Sequence, residues 1–294
     1  MGTLYISIIL MCRVVQHICN KRVSNSVSNL PIFFKYSAFT NLFSAFLGLI
    51  LISIVGNGFY CNTPTAAISL FSGTMLLLST GFGLMALQSG TVALSAMFGT
   101  AGLLVPCFAG IFMFDKPMSV GQWLGVGLFF VAAYFLISSS SKIYSKFSIK
   151  NLLILIGVML SNGFTMLAQQ MFTFYIPDGD VSVFSFLSFG FVGVLMLIIS
   201  LVFIKKDSNV KTPVLSGNLI TMGLILSAAV FVINQLATLS TNIVPPVILF
   251  TFINGGSTII GAIVAALFFH EKLTPRSITG IILGVVSMII IKAL

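Results

Sequence analysis

The stretch from Phe268 to Ile291 reads FFHEKLTPRSITGIILGVVSMIII, and the stretch from Phe112 to Ile137 reads FMFDKPMSVGQWLGVGLFFVAAYFLI. Each closes a long apolar run on an acid–lysine pair, Glu271-Lys272 in one and Asp115-Lys116 in the other. A new apolar run then opens a few residues later, at Ile278-Thr279-Gly280 and at Gly121-Gln122-Trp123-Leu124-Gly125. Charged residues are only 6% of the chain, so a recurring acid–lysine step between apolar runs points to duplication. Duplicated units in a membrane are characteristic of transporters.

The rest of the composition agrees with a membrane setting. Hydrophobic residues make up 58% of the 294 residues, whereas a soluble domain carries about a quarter charged residues. A soluble fold of this length needs a polar skin that this chain lacks. Lipid must therefore cover much of its surface, and the backbone must satisfy its own hydrogen bonds as helices or as a closed barrel. A barrel would show short alternating segments. The runs here are continuous and about 18–25 residues long, the length of a helix crossing a bilayer.

Ten spans are predicted, at about 3–20, 34–56, 65–87, 91–114, 119–138, 151–174, 182–204, 216–239, 243–269 and 276–292. The tightest joint is Gln88-Ser89-Gly90, and the most polar span is the first. That first span has neither the basic start nor the small-residue cleavage site of a signal peptide.

The net charge of +9 is distributed for a membrane and not for nucleic acid. With alternating spans, Lys21, Arg22, Lys35, Lys142, Lys146, Lys150, Lys205, Lys206, Lys211, Lys272 and Arg276 all fall at one side. The other side holds Lys116 and Lys292, together with Asp178 and Asp180, while Arg13 lies within a span. The positive-inside rule makes the basic side cytoplasmic and puts both termini outside, in a plasma-membrane protein. Cys12, Cys19, Cys61 and Cys107 suggest no disulfide framework and read as small packing residues.

The serine run and lysines of 139–150 read as a linker between two five-span halves, 1–138 and 151–294. Five is odd, so tandem copies enter from opposite faces. The expected fold is all-α: a polytopic membrane protein with ten transmembrane helices as a 5+5 inverted repeat, its pseudo-two-fold axis in the membrane plane. Small residues such as Gly99, Gly102, Gly255 and Gly256 suit close helix packing. Pro106, in the middle of the fourth span, should bend it.

The two quoted stretches resemble the half-repeat ends of the drug/metabolite transporter superfamily, specifically its ten-span EamA-like branch. Glu271 and Gly280 match that pattern, whereas the first half has Asp115 and one extra residue before Gly125. The resemblance covers the layout of the whole chain, and its sharp motifs cover about a quarter. It implies a transporter with a central substrate cavity and leaves the substrate open. The small multidrug members use a glutamate in the first helix, and the first span here has none.

The candidate binding residues are the polar groups within spans. Arg13, Gln16, His17 and Asn20 recur at helical spacing, so they share a face. A cation within the membrane costs roughly 2.5–3.5 kcal/mol even on the lenient insertion scale. Arg13 is therefore expected either to meet an anionic group in a cavity or to snorkel to an interface. Span six offers Asn162, Gln169 and Gln170, span eight Asn234 and Gln235, and span nine Asn254. Neutral amides either read a polar solute or join helices at under about 1 kcal/mol per bond. The predicted substrate-binding set is Arg13, Gln16, His17, Asn162, Gln169, Asn234, Gln235 and Asn254.

All five acids fall in connections or at span ends. That absence disfavours coupling through a buried carboxylate and points to a facilitator, an exchanger or coupling through His17. Asp115-Lys116 and Glu271-Lys272 read first as helix-end devices, and Trp123 and Tyr134 as interfacial anchors. No metal, cofactor or enzymatic motif is present, and an intramembrane enzyme is a poor reading. The expected function is movement of a small polar or amphipathic metabolite across the plasma membrane by alternating access. Its partners are that solute, the bilayer and a second copy of the chain, not nucleic acid. The alternatives are a lipid or lipid-linked sugar flippase of the same fold and a non-transporting scaffold.

Overall fold

The computed structural model describes residues 1–24, 26–27, 30–55, 59–88, 92–138, 149–206, 215–270 and 274–293. The Glu271-Lys272 pair, Asp207, and most of the serine- and lysine-rich linker lie outside these residues. The described chain is all helix, without strands. Its helices are α1 (Gly2–Val23), α2 (Leu30–Val55), α3 (Thr63–Gln88), α4 (Val92–Ala101), α5 (Leu104–Met113), α6 (Val120–Ser138), α7 (Ile149–Tyr175), α8 (Val181–Lys206), α9 (Gly217–Ser240), α10 (Pro246–Phe269) and α11 (Pro275–Ala293).

Among the described residues, nine helical stretches are long and apolar enough to cross a membrane. One of the nine, Ser95–Met113, joins α4 and α5, and α6 adds a somewhat shorter apolar helix. The chain is a polytopic membrane protein. Large apolar side chains such as Ile54, Leu153 and Leu201 are exposed on its outside, where acyl chains substitute for a polar skin.

Polar residues at the helix starts supply what the first-turn amides lack. Ser119 and Gln122 form a reciprocal capping box at the start of α6: Ser119 N donates to Gln122 Oε1, and Gln122 N to Ser119 Oγ, both at 3.1 Å. Asn62 Oδ1 accepts from Thr65 N at α3, Asp180 Oδ1 from Ser182 N at α8, and Thr274 Oγ1 from Ser277 N at α11.

The predicted bend in the fourth span is a break, and it lies one turn before Pro106. A proline ring collides with the carbonyl four residues earlier. That residue is Gly102, and the helix is interrupted at Gly102-Leu103. Restarting at Leu104 places Pro106 in the first turn of α5, where its missing N–H has no intrahelical acceptor to lose. The gap is filled by α7. A Cβ on Gly163 would stand 2.5 Å from the Gly102 carbonyl oxygen, and one on Gly102 would stand 3.0 Å from Gly163 N. Asn162 Nδ2 donates to Gly99 O at 2.6 Å, bracing the break from the side.

The most extensive helix contacts are α2 with α8, α6 with α11, α3 with α7, and α1 with α9. α2 and α8 run antiparallel: Phe34 stacks on Phe203, whereas Gly48 meets Phe186. α6 and α11 do the same, with Gly125 against Ile291 and Ala132 beside Gly284.

Two non-glycine residues adopt positive φ, Asp115 at 49° and His270 at 54°. Asp115 lies just past the end of α5, and His270 is the C-cap of α10. The left-handed conformation costs an ordinary L-residue about 1–2 kcal/mol. Replacing His270 by glycine should therefore raise the apparent unfolding temperature of the detergent-purified protein by a few degrees, and His270→Val should lower it. A drop with His270→Gly would show that contacts of the imidazole outweigh the backbone strain.

Candidate functional site

A cavity of ≈190 Å³ lies within the bundle between α1, α3, α7, α8, α9 and α10. α1 contributes Arg13 and Gln16, α7 contributes Asn162 and Gln169, and α9 and α10 contribute Asn234 and Asn254. These are six of the eight residues expected from the sequence. Each lies several residues from both ends of its helix, so the cavity is at membrane depth. Apolar side chains, Leu76, Phe189, Val230, Ile233, Phe250 and Ile253 among them, share the lining. Ser72, Thr165 and Ser188 add hydroxyls to it. Nothing in the sequence separated these three from the many hydroxyls that bond to a helix's own carbonyls.

Arg13 Nη1 donates to Gln16 Oε1 at 2.7 Å, the three-residue spacing expected of one helix face. Its Nε is enclosed and has no protein acceptor among the described residues. No described carboxylate is nearby in the fold, because Asp115, Asp178 and Asp180 all sit at helix termini.

His17 and Gln235 are not on the lining. His17 Nε2 lies 3.0 Å from Ser257 Oγ, and its ring packs against Gly261, so it joins α1 to α10. Asn20, last of the polar face of α1, instead lines a separate cavity of ≈630 Å³ with Ser24, Tyr36 and Gln88. Gln170 follows Gln169 by one residue, turns about 100° around α7, and is not on the lining. It is buried beside Gly110, and its amide has no protein partner among the described residues.

Gln235 belongs to a chain of side-chain hydrogen bonds. Gln169 Nε2 donates to Asn234 Oδ1 at 2.7 Å, and Asn234 Nδ2 to Ser185 Oγ at 3.1 Å. Ser185 Oγ donates to Gln235 Oε1 at 2.9 Å, and Gln235 Nε2 to Ser182 Oγ at 3.0 Å. The first member lines the central cavity. The last lines a third cavity, of ≈790 Å³, with Tyr60, Tyr175, Asp178 and Asp180. The chain thus links the lining of one cavity to that of the other.

A protein of known crystal structure has the same fold: it superposes with a TM-score of 0.76 over 99% of this chain and 97% of its own, at 11% identity. No family model and no curated protein matches the sequence. The likeness concerns the arrangement of helices alone.

Lys116 is placed as a helix-end device. Its backbone N–H donates to Gly110 O at 2.8 Å, and its Nζ donates to Thr241 O at 3.2 Å, tying the α5–α6 connection to the end of α9. Trp123 packs on Phe108 near the start of α6 and is partly exposed, which suits an interfacial anchor. Among the described residues, no group of three His, Cys, Asp or Glu could hold a metal ion.

Proposed function

We propose that the protein is a transporter of the drug/metabolite superfamily, EamA-like, which moves a small polar or amphipathic metabolite by alternating access. The observation that carries this reading is the central cavity, lined at membrane depth by Arg13 and a set of amides. A scaffold has no use for such a lining, because each polar group in a span costs insertion energy.

The helix contacts support two inverted five-helix units. Counterparts pack on each other and run antiparallel: α2 with α8, and α6 with α11. α3–α7 is matched by α9–α1, α3–α8 by α9–α2, and the α4–α5 span on α7 by α10 on α1. The positive-φ residues Asp115 and His270 both lie within two residues of a helix end, past α5 and past α10. In this reading the basic side is cytoplasmic. The hydrogen-bonded chain from Gln169 to Ser182 then closes the outer path, and the polar face of α1 leads from Arg13 through Gln16 toward the Asn20 cavity and the cytoplasm.

The three described carboxylates all lie outside the spans, which favours a facilitator or exchanger over coupling through a buried acid. A lipid flippase would need room for a headgroup and access from the side; ≈190 Å³ favours a compact solute.

The test is a thermal-shift screen of the purified protein against amino acids, sugars, nucleotides, organic acids and lipophilic cations. Uptake of each stabilising compound into proteoliposomes follows. A true ligand at 100 times its Kd stabilises by about 2.7 kcal/mol. Gln169→Leu should cut uptake at least fivefold while the protein stays monodisperse. Uptake unchanged in Gln169→Leu and in Arg13→Leu would mean that the solute does not pass through the central cavity, and no uptake of any stabilising compound would return the scaffold reading.

A further inference from the structure

We propose that the solute of the central cavity is a compact amphipathic organic monoanion whose carboxylate meets the Arg13 guanidinium. The inference rests on the transport reading and names its substrate class. Charge carries it first. Among the described residues, Arg13 is the one ionisable side chain on the cavity lining, so the lining carries one positive charge and no counter-charge. A buried charge that lacks a counter-charge is costly unless something pairs it. Snorkelling does not remove it. Arg13 lies eleven residues from Gly2 and ten from Val23, which is roughly 15 Å from either helix end. No arginine side chain bridges that distance.

Hydrogen bonding points the same way. Three amides of the site each donate within the protein: Asn162 Nδ2 to Gly99 O, Gln169 Nε2 to Asn234 Oδ1, and Asn234 Nδ2 to Ser185 Oγ. A guanidinium has five N–H groups. Here one is bonded to Gln16, and Nε has no protein acceptor among the described residues. Of the side chains on the lining, Arg13 thus carries the most N–H groups, on a cation with the planar fork that suits a carboxylate. A cation would find no carboxylate among the described lining residues to receive it.

The number of charges sets the valence. One arginine neutralises one anionic charge, and a dianion would leave the site negative at membrane depth. The wall of Leu76, Phe189, Val230, Ile233, Phe250 and Ile253 accommodates an apolar tail. The ≈190 Å³ cavity keeps that tail short.

The experiment measures binding apart from flux. Unfolding temperatures of the full chain in detergent are recorded with acetate, butyrate, hexanoate, hexanamide, hexylamine and inorganic phosphate, for wild type, Arg13→Lys and Arg13→Gln. Hexanoate is expected to bind wild type at least tenfold tighter than hexanamide, with hexylamine and phosphate inactive. Arg13→Lys should retain a weaker response and Arg13→Gln none. Without ligand, Arg13→Gln should unfold at or above the wild-type temperature, because it removes the unpaired charge; an arginine that merely joins helices would give a lower one. The proposal is overturned if no carboxylate stabilises wild type, if hexanamide or hexylamine matches hexanoate, or if Arg13→Gln responds as wild type does. Should Arg13→Gln not fold, the hexanoate–hexanamide comparison on wild type decides alone. Neutral compounds that bind through Gln169 and are taken up would sink this inference and leave transport standing. Carboxylates that bind through Arg13 without any uptake would do the reverse.

Discussion

Gly163→Leu should abolish recovery of monodisperse protein, whereas Gly81→Ala should leave it unchanged. The first Cβ atom already decides the outcome. At Gly163 it would meet the Gly102 carbonyl oxygen at 2.5 Å and Val105 Cγ2 at 2.5 Å. Backbone cannot rotate out of the way as a side chain can, so α5 and α7 would have to separate. Overpacking a well-packed core costs about 1–3 kcal/mol and occasionally more. Here separation would also detach Asn162 from Gly99 O, the bond that braces the helix break. At Gly81 an added Cβ would have no neighbour within 4 Å, and alanine is the better helix former by about 1 kcal/mol. Size-exclusion profiles of fluorescently tagged variants in detergent would show it. A normal Gly163→Leu profile would mean that the α4–α5 break does not require this close approach.

That contact marks the boundary of what the sequence made legible. The spans were readable because a helix crossing a bilayer needs a continuous apolar run, and no other structure satisfies its backbone in lipid. Pro106 signalled a distortion in the fourth span. Its consequence falls at Gly102 because the clash is with the carbonyl four residues back. Which helix would fill the gap depends on tertiary packing, and no local pattern names Gly163. Among the candidate binding residues, Arg13, Gln16, Asn162, Gln169, Asn234 and Asn254 share one cavity because polar groups in spans turn away from lipid. His17 and Gln235 turn toward neighbouring helices instead. Adjacent residues on a helix point about 100° apart, and in Gln16-His17 and Asn234-Gln235 the first member lines the cavity while the second bonds to a neighbouring helix. The apolar wall and Ser72, Thr165 and Ser188 were invisible for a different reason: such residues occur throughout every span.

The chain Gln169–Asn234–Ser185–Gln235–Ser182 carries the second large effect. If it closes the path between the central cavity and the cavity holding Asp178 and Asp180, removing it should admit solvent from that side. Ser185→Ala with Gln235→Leu deletes three of its four bonds. Hydrogen bonds between membrane helices average about 0.6 kcal/mol each, so the closed form loses roughly 2 kcal/mol. At 1.4 kcal/mol per tenfold, the open population should rise more than tenfold. A reporter cysteine at Ser188, on the cavity wall, reads this directly in a background with Cys12, Cys19, Cys61 and Cys107 replaced. Its modification by a membrane-impermeant thiol reagent, added on the Asp178–Asp180 side, should accelerate more than tenfold in the double variant. Modification from the opposite side should slow, because the two openings compete for one protein population. Acceleration from both sides at once would mean that the bundle has loosened. No acceleration from either side would mean that these four bonds join helices without closing a path.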